Sequence, residues 1–93
     1  MTRETSIETR LRNGVKDLDG YCIKLSPLGK VGIPDRLLLL PGGRVVFVEC
    51  KKPRGSRIAR MQEHWRDEIE RLGFRHEYVF TREDVDQLME EMK

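Results

Sequence analysis

Hydrophobic residues recur at two different spacings along this chain, and the change of spacing predicts a mixture of helices and strands. A first helix is predicted from near Thr5 by apolar residues three or four apart: Ile7, Leu11, Val15 and Leu18. Thr5 and Glu8 fit a capping box, and Gly14 weakens this helix by about 1 kcal/mol relative to alanine. Compact apolar runs bounded by glycine and proline predict strands over 21–26, 34–40, 44–51 and 74–80.

Two more helices are predicted in the second half of the chain. One is capped by Ser56 and ends before Gly73, with an apolar stripe expected to face the core: Ile58, Met61, Trp65, Ile69 and Leu72. The other is capped by Thr81, with an inner face formed by Val85, Leu88, Met89 and Met92.

The order of these elements predicts an α/β fold with the sequence α-β-β-β-α-β-α. The turn Pro41-Gly42-Gly43 joins the second and third strands as a hairpin, and their continuous apolar runs predict that both faces are covered. A crossover helix before the fourth strand predicts a mixed sheet of about four strands with helices on both sides. The 93 residues are interpreted as a single domain, 1–93.

The distribution of charged residues along the chain says more about function than the overall composition does. The net charge is only +2, although 37% of the residues are charged against roughly 25% in ordinary domains. Five basic residues and no acidic residue lie between Lys51 and Arg60, whereas the chain from Glu83 onward is acidic. The basic cluster suits a polyanion such as nucleic acid, with an ordinary solvated surface as the alternative.

The two cysteines, Cys22 and Cys50, form no CxxC pair and lie within predicted strands. They are interpreted as buried, reduced thiols, which indicates a reducing compartment. No signal peptide or long apolar run is found, so we expect a soluble, cytoplasmic protein. His64 and His76 fit no zinc spacing with these cysteines and are interpreted as structural or surface residues.

The candidate chemistry lies where the hairpin strands meet. Glu49 and Lys51 point to the same face of a strand, and Asp35, at the start of the partner strand, should lie beside them. Two neighbouring carboxylates repel, and a divalent cation removes that cost. Carboxylates and the Cys50 backbone carbonyl are oxygen ligands that Mg²⁺ favours, and Mn²⁺ accepts them equally. Such a metal with Lys51 is sufficient for phosphodiester hydrolysis.

Each motif alone has a structural alternative. Glu-X-Lys is also found as a salt-bridged strand end, and Pro-Asp is a common turn dipeptide. Their combination in this order, on neighbouring apolar strands, is much less easily explained by chance.

The segments Gly32–Arg36 and Val46–Pro53 resemble the core of the PD-(D/E)XK nuclease superfamily, and most closely its VRR-NUC family of virus-type replication–repair nucleases. The resemblance extends from Glu8 to about Val85 and implies a restriction-endonuclease-like core. It implies metal ligation by Asp35, Glu49 and the Cys50 carbonyl, with Glu8 helping to hold the metal or its waters. It further implies that Lys51 acts at the nucleophile and that Gln62 orients the site or the phosphate.

The resemblance implies a metal-dependent, structure-selective DNA endonuclease that acts at four-way (Holliday) junctions or flaps in DNA repair, as a homodimer, in a prokaryotic or phage-encoded context. The alternatives are a catalytically silent DNA-binding accessory module, a protein-interaction module and a restriction-type nuclease. Backbone contacts to DNA are expected from the basic and polar residues flanking the motifs: Lys24, Ser26, Lys30, Lys52, Arg54, Arg57 and Arg60.

Overall fold

The computed structural model of the protein describes residues 5–25, 31–52 and 55–93, with side chains from Ile7 onward. Within these residues the chain forms three helices and four strands. They are α1 (Thr5–Asp17), β1 (Tyr21–Lys24), β2 (Arg36–Leu40), β3 (Arg44–Cys50), α2 (Arg60–Arg71), β4 (Arg75–Val79) and α3 (Arg82–Glu91). The predicted order of elements is confirmed. The predicted capping box of α1 involves the Thr5 side chain, which lies outside the described side chains.

The four strands form one mixed sheet in the order β1-β2-β3-β4. The first three strands are antiparallel, and β4 joins β3 in parallel after the α2 crossover. The β2–β3 hairpin closes at the pair Leu40–Arg44, where Gly42 and Gly43 both adopt positive φ angles, 83° and 74°. Since glycine takes this conformation without steric cost, the turn residues fix the register of the hairpin.

The core lies between the sheet and the pair α1 and α3. Helices α1 and α3 and strands β2, β3 and β4 contribute apolar side chains to it: Ile7, Leu11, Val15, Leu38, Leu40, Val46, Val48, Val79, Val85 and Leu88. The two helices approach closely because residue 14 is glycine: a Cβ at Gly14 would lie 2.8 Å from Met89 Cγ. The predicted helical cost of Gly14 is therefore offset by close packing of α1 on α3.

The opposite face of the sheet is covered by α2 over only part of its area. The prediction that β2 and β3 are covered on both faces is wrong for β2 at Leu39, which is 38% exposed, whereas Val45 and Phe47 of β3 are partly buried. Of the predicted apolar stripe on α2, Ile69 is buried and Trp65 half-buried, but Leu72 is 61% exposed. One twelve-residue helix is too narrow to cover the outer face of four strands.

The start of α2 also differs from the prediction. The helix begins at Arg60 instead of near Ser56, and Ala59 is its N-cap in an extended conformation, φ −70° and ψ 157°. The Ala59 N–H donates to Gln62 Oε1 at 3.0 Å, so Gln62 satisfies a backbone donor at the helix start. Thr81 caps α3 as predicted, since its Oγ1 accepts from the Asp84 N–H at 3.0 Å.

The cysteines Cys22 and Cys50 are free and only half-buried, on the face of the sheet that carries the core. Burial raises the pKa of both thiols. Within the described ranges, no helix has the length and apolar character needed to cross a membrane.

Candidate active site at the ends of strands β2 and β3

The hairpin register brings the two predicted carboxylates together. Arg36 pairs with Val48, so Asp35, directly before β2, lies opposite Glu49 near the end of β3. Asp35 Oδ1 accepts a hydrogen bond from the Cys50 N–H at 3.1 Å, which joins the start of one strand to the end of the other. The predicted strand start at Pro34 is corrected to Arg36, but the predicted proximity of Asp35 and Glu49 is present.

Contacts with α2 hold the loop that leads into Asp35. The Trp65 indole N–H donates to the Val31 carbonyl at 3.1 Å. Gly32 has a φ of 91°, and a Cβ there would lie 2.6 Å from the Met61 carbonyl oxygen. The loop backbone therefore rests directly on the helix, and only glycine allows this approach at that position.

Gln62 connects the acid and the base of the Glu49-X-Lys51 motif. Its Nε2 donates to Glu49 Oε2 at 3.0 Å, and its Oε1 accepts from Lys51 Nζ at 2.7 Å. The same Oε1 accepts from the Ala59 N–H, and the Gln62 carbonyl accepts from the Tyr78 hydroxyl at 3.3 Å. The side chain is thus fixed at the start of α2 with both ends of its amide in use.

Lys51 is held from two directions. Its backbone N–H donates to the Val79 carbonyl at 2.8 Å, which continues the parallel ladder one residue beyond β3. Its ammonium donates to the Arg57 carbonyl at 2.7 Å as well as to Gln62. The Arg57 carbonyl belongs to the extended segment before α2, so the corrected helix start places an acceptor beside the lysine.

Glu8 is placed differently from the other predicted acids. Its Oε1 accepts from Arg36 Nη2 at 2.7 Å, on the face of the sheet that carries the core. The charge of Glu8 nevertheless contributes to raising the pKa of Asp35, so the two carboxylates lie within electrostatic range. Glu8 is near the site, but the structure shows it bound to Arg36 and not directly beside Glu49.

The two facing carboxylates are electrostatically strained. Burial, followed by the negative charge of Asp35, raises the pKa of Glu49 from 4.5 to about 7, against the opposing effect of Lys51. Burial also raises the pKa of Asp35, and the bond from the Cys50 N–H opposes it. The arrangement therefore disfavours two ionised carboxylates at neutral pH unless a cation joins them.

Two solved structures share the overall fold of this chain. A solved structure described as "VRR_NUC domain" superposes with a TM-score of 0.89, covers 100% of both chains and has 29% sequence identity. A second, described as "VRR_NUC domain protein", has a TM-score of 0.73 and 16% identity over 99% of this chain and 88% of that one, and shows the fold alone.

This is the VRR-NUC fold. The resemblance inferred from the sequence motifs, and the predicted fold class, are confirmed.

One curated relative matches part of the chain. It is "Putative nuclease p44" of Acyrthosiphon pisum secondary endosymbiont phage 1, 45% identical over 53 residues. The match spans 57% of this chain and 57% of the relative, so a little over half of each protein is compared. No protein-family model matches the sequence.

The donor types of this site suit a divalent cation. Two desolvated carboxylates with raised pKa values face each other, and a cation between them would favour their ionised forms. Across residues 5–25, 31–52 and 55–93, no three His, Cys, Asp or Glu side chains form a ready-made metal cluster. The donor set that fits is therefore Asp35, Glu49 and the Cys50 backbone carbonyl, with Glu8 further away.

The structure describes four of the seven residues predicted to contact DNA. Lys24 ends β1 and pairs with Arg36, which puts it at the same end of the sheet as the site. Lys52 and Arg57 are exposed on the segment between β3 and α2, and Arg60 is exposed at the first position of α2. Ser26, Lys30 and Arg54 lie outside the described residues.

Two side chains at this VRR-NUC site were not singled out from the sequence. Arg36 was included only in a motif segment, although its spacing from Leu38 and Leu40 puts it on the buried face, where an arginine requires a carboxylate partner. Tyr78 alternates with Val79 and so faces α2, but no sequence signal identified Gln62 as its partner.

Proposed function

We propose that this chain is a metal-dependent nuclease that hydrolyses phosphodiester bonds in DNA and cuts branched structures such as four-way junctions or flaps. The observation that carries the proposal is the Gln62 amide, which joins Glu49 to Lys51 beside the desolvated Asp35. In a purely structural strand end, Glu49 and Lys51 would instead form a direct salt bridge with each other. The whole-chain VRR_NUC fold and the relative named as a nuclease give independent support.

In this proposal Asp35, Glu49 and the Cys50 carbonyl hold Mg²⁺ or Mn²⁺. When bound, the cation would supply a bound water of lowered pKa and offset charge on the phosphate. The raised pKa values of Asp35 and Glu49 support this assignment, because burial removes the water that would stabilise two ionised carboxylates and a bound cation would restore that stabilisation. Glu8 is proposed to act further out, on the waters of the cation.

Lys51 is proposed to act at the nucleophile and the developing charge. A lysine ammonium has three N–H donors, and within the described residues two are used, by Gln62 and Arg57. The third is available for the attacking water or a phosphate oxygen. The two fixed bonds orient that donor in advance, so little reorganisation is required when charge develops on the phosphate.

Binding to DNA is proposed to use exposed basic residues near the site: Lys24, Lys52, Arg57 and Arg60. Such contacts follow the phosphate backbone and carry no sequence information directly. The described elements include no recognition helix free to enter a major groove, since all three helices pack on the sheet or on each other. This favours recognition of DNA structure over recognition of base sequence.

Symmetric cutting of a four-way junction requires two active sites, so we propose a two-fold homodimer for that substrate. Light scattering at micromolar concentration tests this point. A monomeric mass, with junction cutting retained at the same concentration, would count against the dimer and leave a flap or single-site substrate.

The decisive experiment compares cleavage of a labelled four-way junction, a flap and a linear duplex of matched sequence, with Mg²⁺, Mn²⁺ or EDTA. Asp35→Asn and Lys51→Ala should each reduce the rate by at least about 100-fold. Lys16→Ala, an exposed lysine on α1, is the matched control and should cut normally.

Each alternative has a distinct outcome in this assay. Metal-dependent cutting of a branched substrate supports the proposal. Cutting confined to a short duplex sequence would indicate a restriction-type nuclease. Binding without cutting would indicate the accessory module, and neither binding nor cutting would indicate a protein-interaction module.

A further inference from the structure

Arg36 is a buried cation immediately next to the site. Its side chain is 9% exposed and shares the core face of β2 with Leu38 and Leu40. An arginine cannot lose its charge in a protein, so burial requires an anionic partner. That partner is Glu8, at 2.7 Å, and the Cys22 thiol lies beside the same guanidinium. Arg36 therefore has very little exposed surface with which to contact DNA.

The position of Arg36 in the strand links it to the carboxylates. Asp35 and Arg36 are consecutive, so their side chains leave opposite faces of the strand. Asp35 is directed towards the Cys50 N–H and Arg36 towards α1. Because the two residues are consecutive, any shift of the backbone here would move Asp35 together with Arg36, the residue that binds Glu8.

Glu8 has no comparable support from its own helix. Its side chain is 34% exposed, and among the described side chains its carboxylate is bonded to Arg36. A glutamate on a helix has three rotatable side-chain bonds, so without an anchor its carboxylate would sample several positions. With one oxygen bound to Arg36, the other remains free to accept further hydrogen bonds.

We propose that Arg36 is a positioning residue, which holds one oxygen of Glu8 so that the other faces the waters of the cation bound by Asp35 and Glu49. This inference rests on the proposed function for the presence of that cation. It adds a role that the motif residues themselves do not have: Arg36 touches neither substrate nor metal and acts through Glu8.

The test measures Mn²⁺ binding directly, by electron paramagnetic resonance of free Mn²⁺, alongside the Mg²⁺ dependence of cutting. Arg36→Met should weaken Mn²⁺ binding by about 10-fold and raise the Mg²⁺ concentration for half-maximal cutting similarly. The rate at saturating metal should change much less. Arg36→Lys, which keeps the charge but not the planar geometry, should recover part of the affinity.

The matched control is Arg10→Met. Arg10 of α1 forms an exposed ion pair with Asp86 of α3 at 2.7 Å. The substitution removes an arginine–carboxylate pair of α1 without affecting Glu8, so Mn²⁺ affinity should stay unchanged. Glu8→Gln with Arg36→Met should bind Mn²⁺ no more weakly than either single variant, because both changes remove one function. The double variant also leaves no buried unpaired charge, which protects against loss of folding.

The outcomes separate this inference from the proposed function. Wild-type affinity in Arg36→Met, together with weakened binding in Glu8→Gln, would overturn the role of Arg36. A double variant whose loss of Mn²⁺ affinity equals the product of the two single losses would overturn it too. Mn²⁺ binding without cutting of any DNA would overturn the nuclease, and the binding comparison would still decide the role of Arg36. Absence of Mn²⁺ binding by the unsubstituted protein would overturn both.

Discussion

Replacing Glu49 with glutamine is expected to stabilise the metal-free protein at pH 8 while it abolishes cutting. The pKa of Glu49 is raised from 4.5 to about 7, so its ionised form is disfavoured in the folded state. A shift of this size corresponds to about 3.5 kcal/mol at most, since each pKa unit is about 1.4 kcal/mol. Because Glu49 is half-buried and water screens its charge, we expect about 1–2 kcal/mol.

The sign of the pH dependence follows from proton binding. Between pH 4.5 and about 7 the folded protein holds a proton on Glu49 that the unfolded chain has released. The free energy of unfolding therefore falls, for this group, as pH rises through that window and is lowest above it. Glutamine does not titrate, so the gain of Glu49→Gln should be large at pH 8 and small near pH 4.5.

Urea unfolding in EDTA at pH 5 and pH 8, followed by fluorescence of the single tryptophan, Trp65, measures this difference. Glu63→Gln, an exposed position on α2, is the control and should change stability by less than about 0.5 kcal/mol. Adding Mg²⁺ at pH 8 should stabilise the wild type more than Glu49→Gln, since a ligand that binds only the folded state adds stability. A variant no more stable than the wild type at pH 8 would refute the electrostatic reasoning.

Three further predictions concern the core, a helix cap and DNA binding. Leu38→Ala should lower the free energy of unfolding by about 2–5 kcal/mol in urea, because Leu38 is 0% exposed; a loss below about 1 kcal/mol would contradict this packing. Thr81→Ala should cost about 1 kcal/mol by removing the bond to the Asp84 N–H, and an unchanged midpoint would show that the cap is dispensable. Arg57→Ala keeps the carbonyl that binds Lys51, so it should weaken DNA binding and reduce the salt slope by about one; an unchanged slope would exclude a phosphate contact.

The sequence alone determined the features that depend on local patterns. Two continuous apolar runs and the turn Pro41-Gly42-Gly43 between them predicted the hairpin, and the hairpin predicted that Asp35 lies beside Glu49. Hairpin partners are close in sequence, so their register is set by a turn whose residues are visible in the chain. Strand alternation placed Glu49 and Lys51 in one site, whereas the assignment of Gln62 to it rested on the resemblance; the structure brings the three side chains together.

Only the tertiary structure decided how the helices meet the sheet. The start of α2 at Arg60 combines a local bond, from the Ala59 N–H to Gln62, with contacts between elements, since Lys51 bonds both the Arg57 carbonyl and Gln62. The partner of Glu8 is Arg36, 28 residues away, because α1 packs on the core face of β2. The exposure of Leu39 reflects where α2 lies over the sheet. The spacing of hydrophobic residues shows which face of a helix or strand is buried. Which element packs against that face depends on how distant segments of the chain come together.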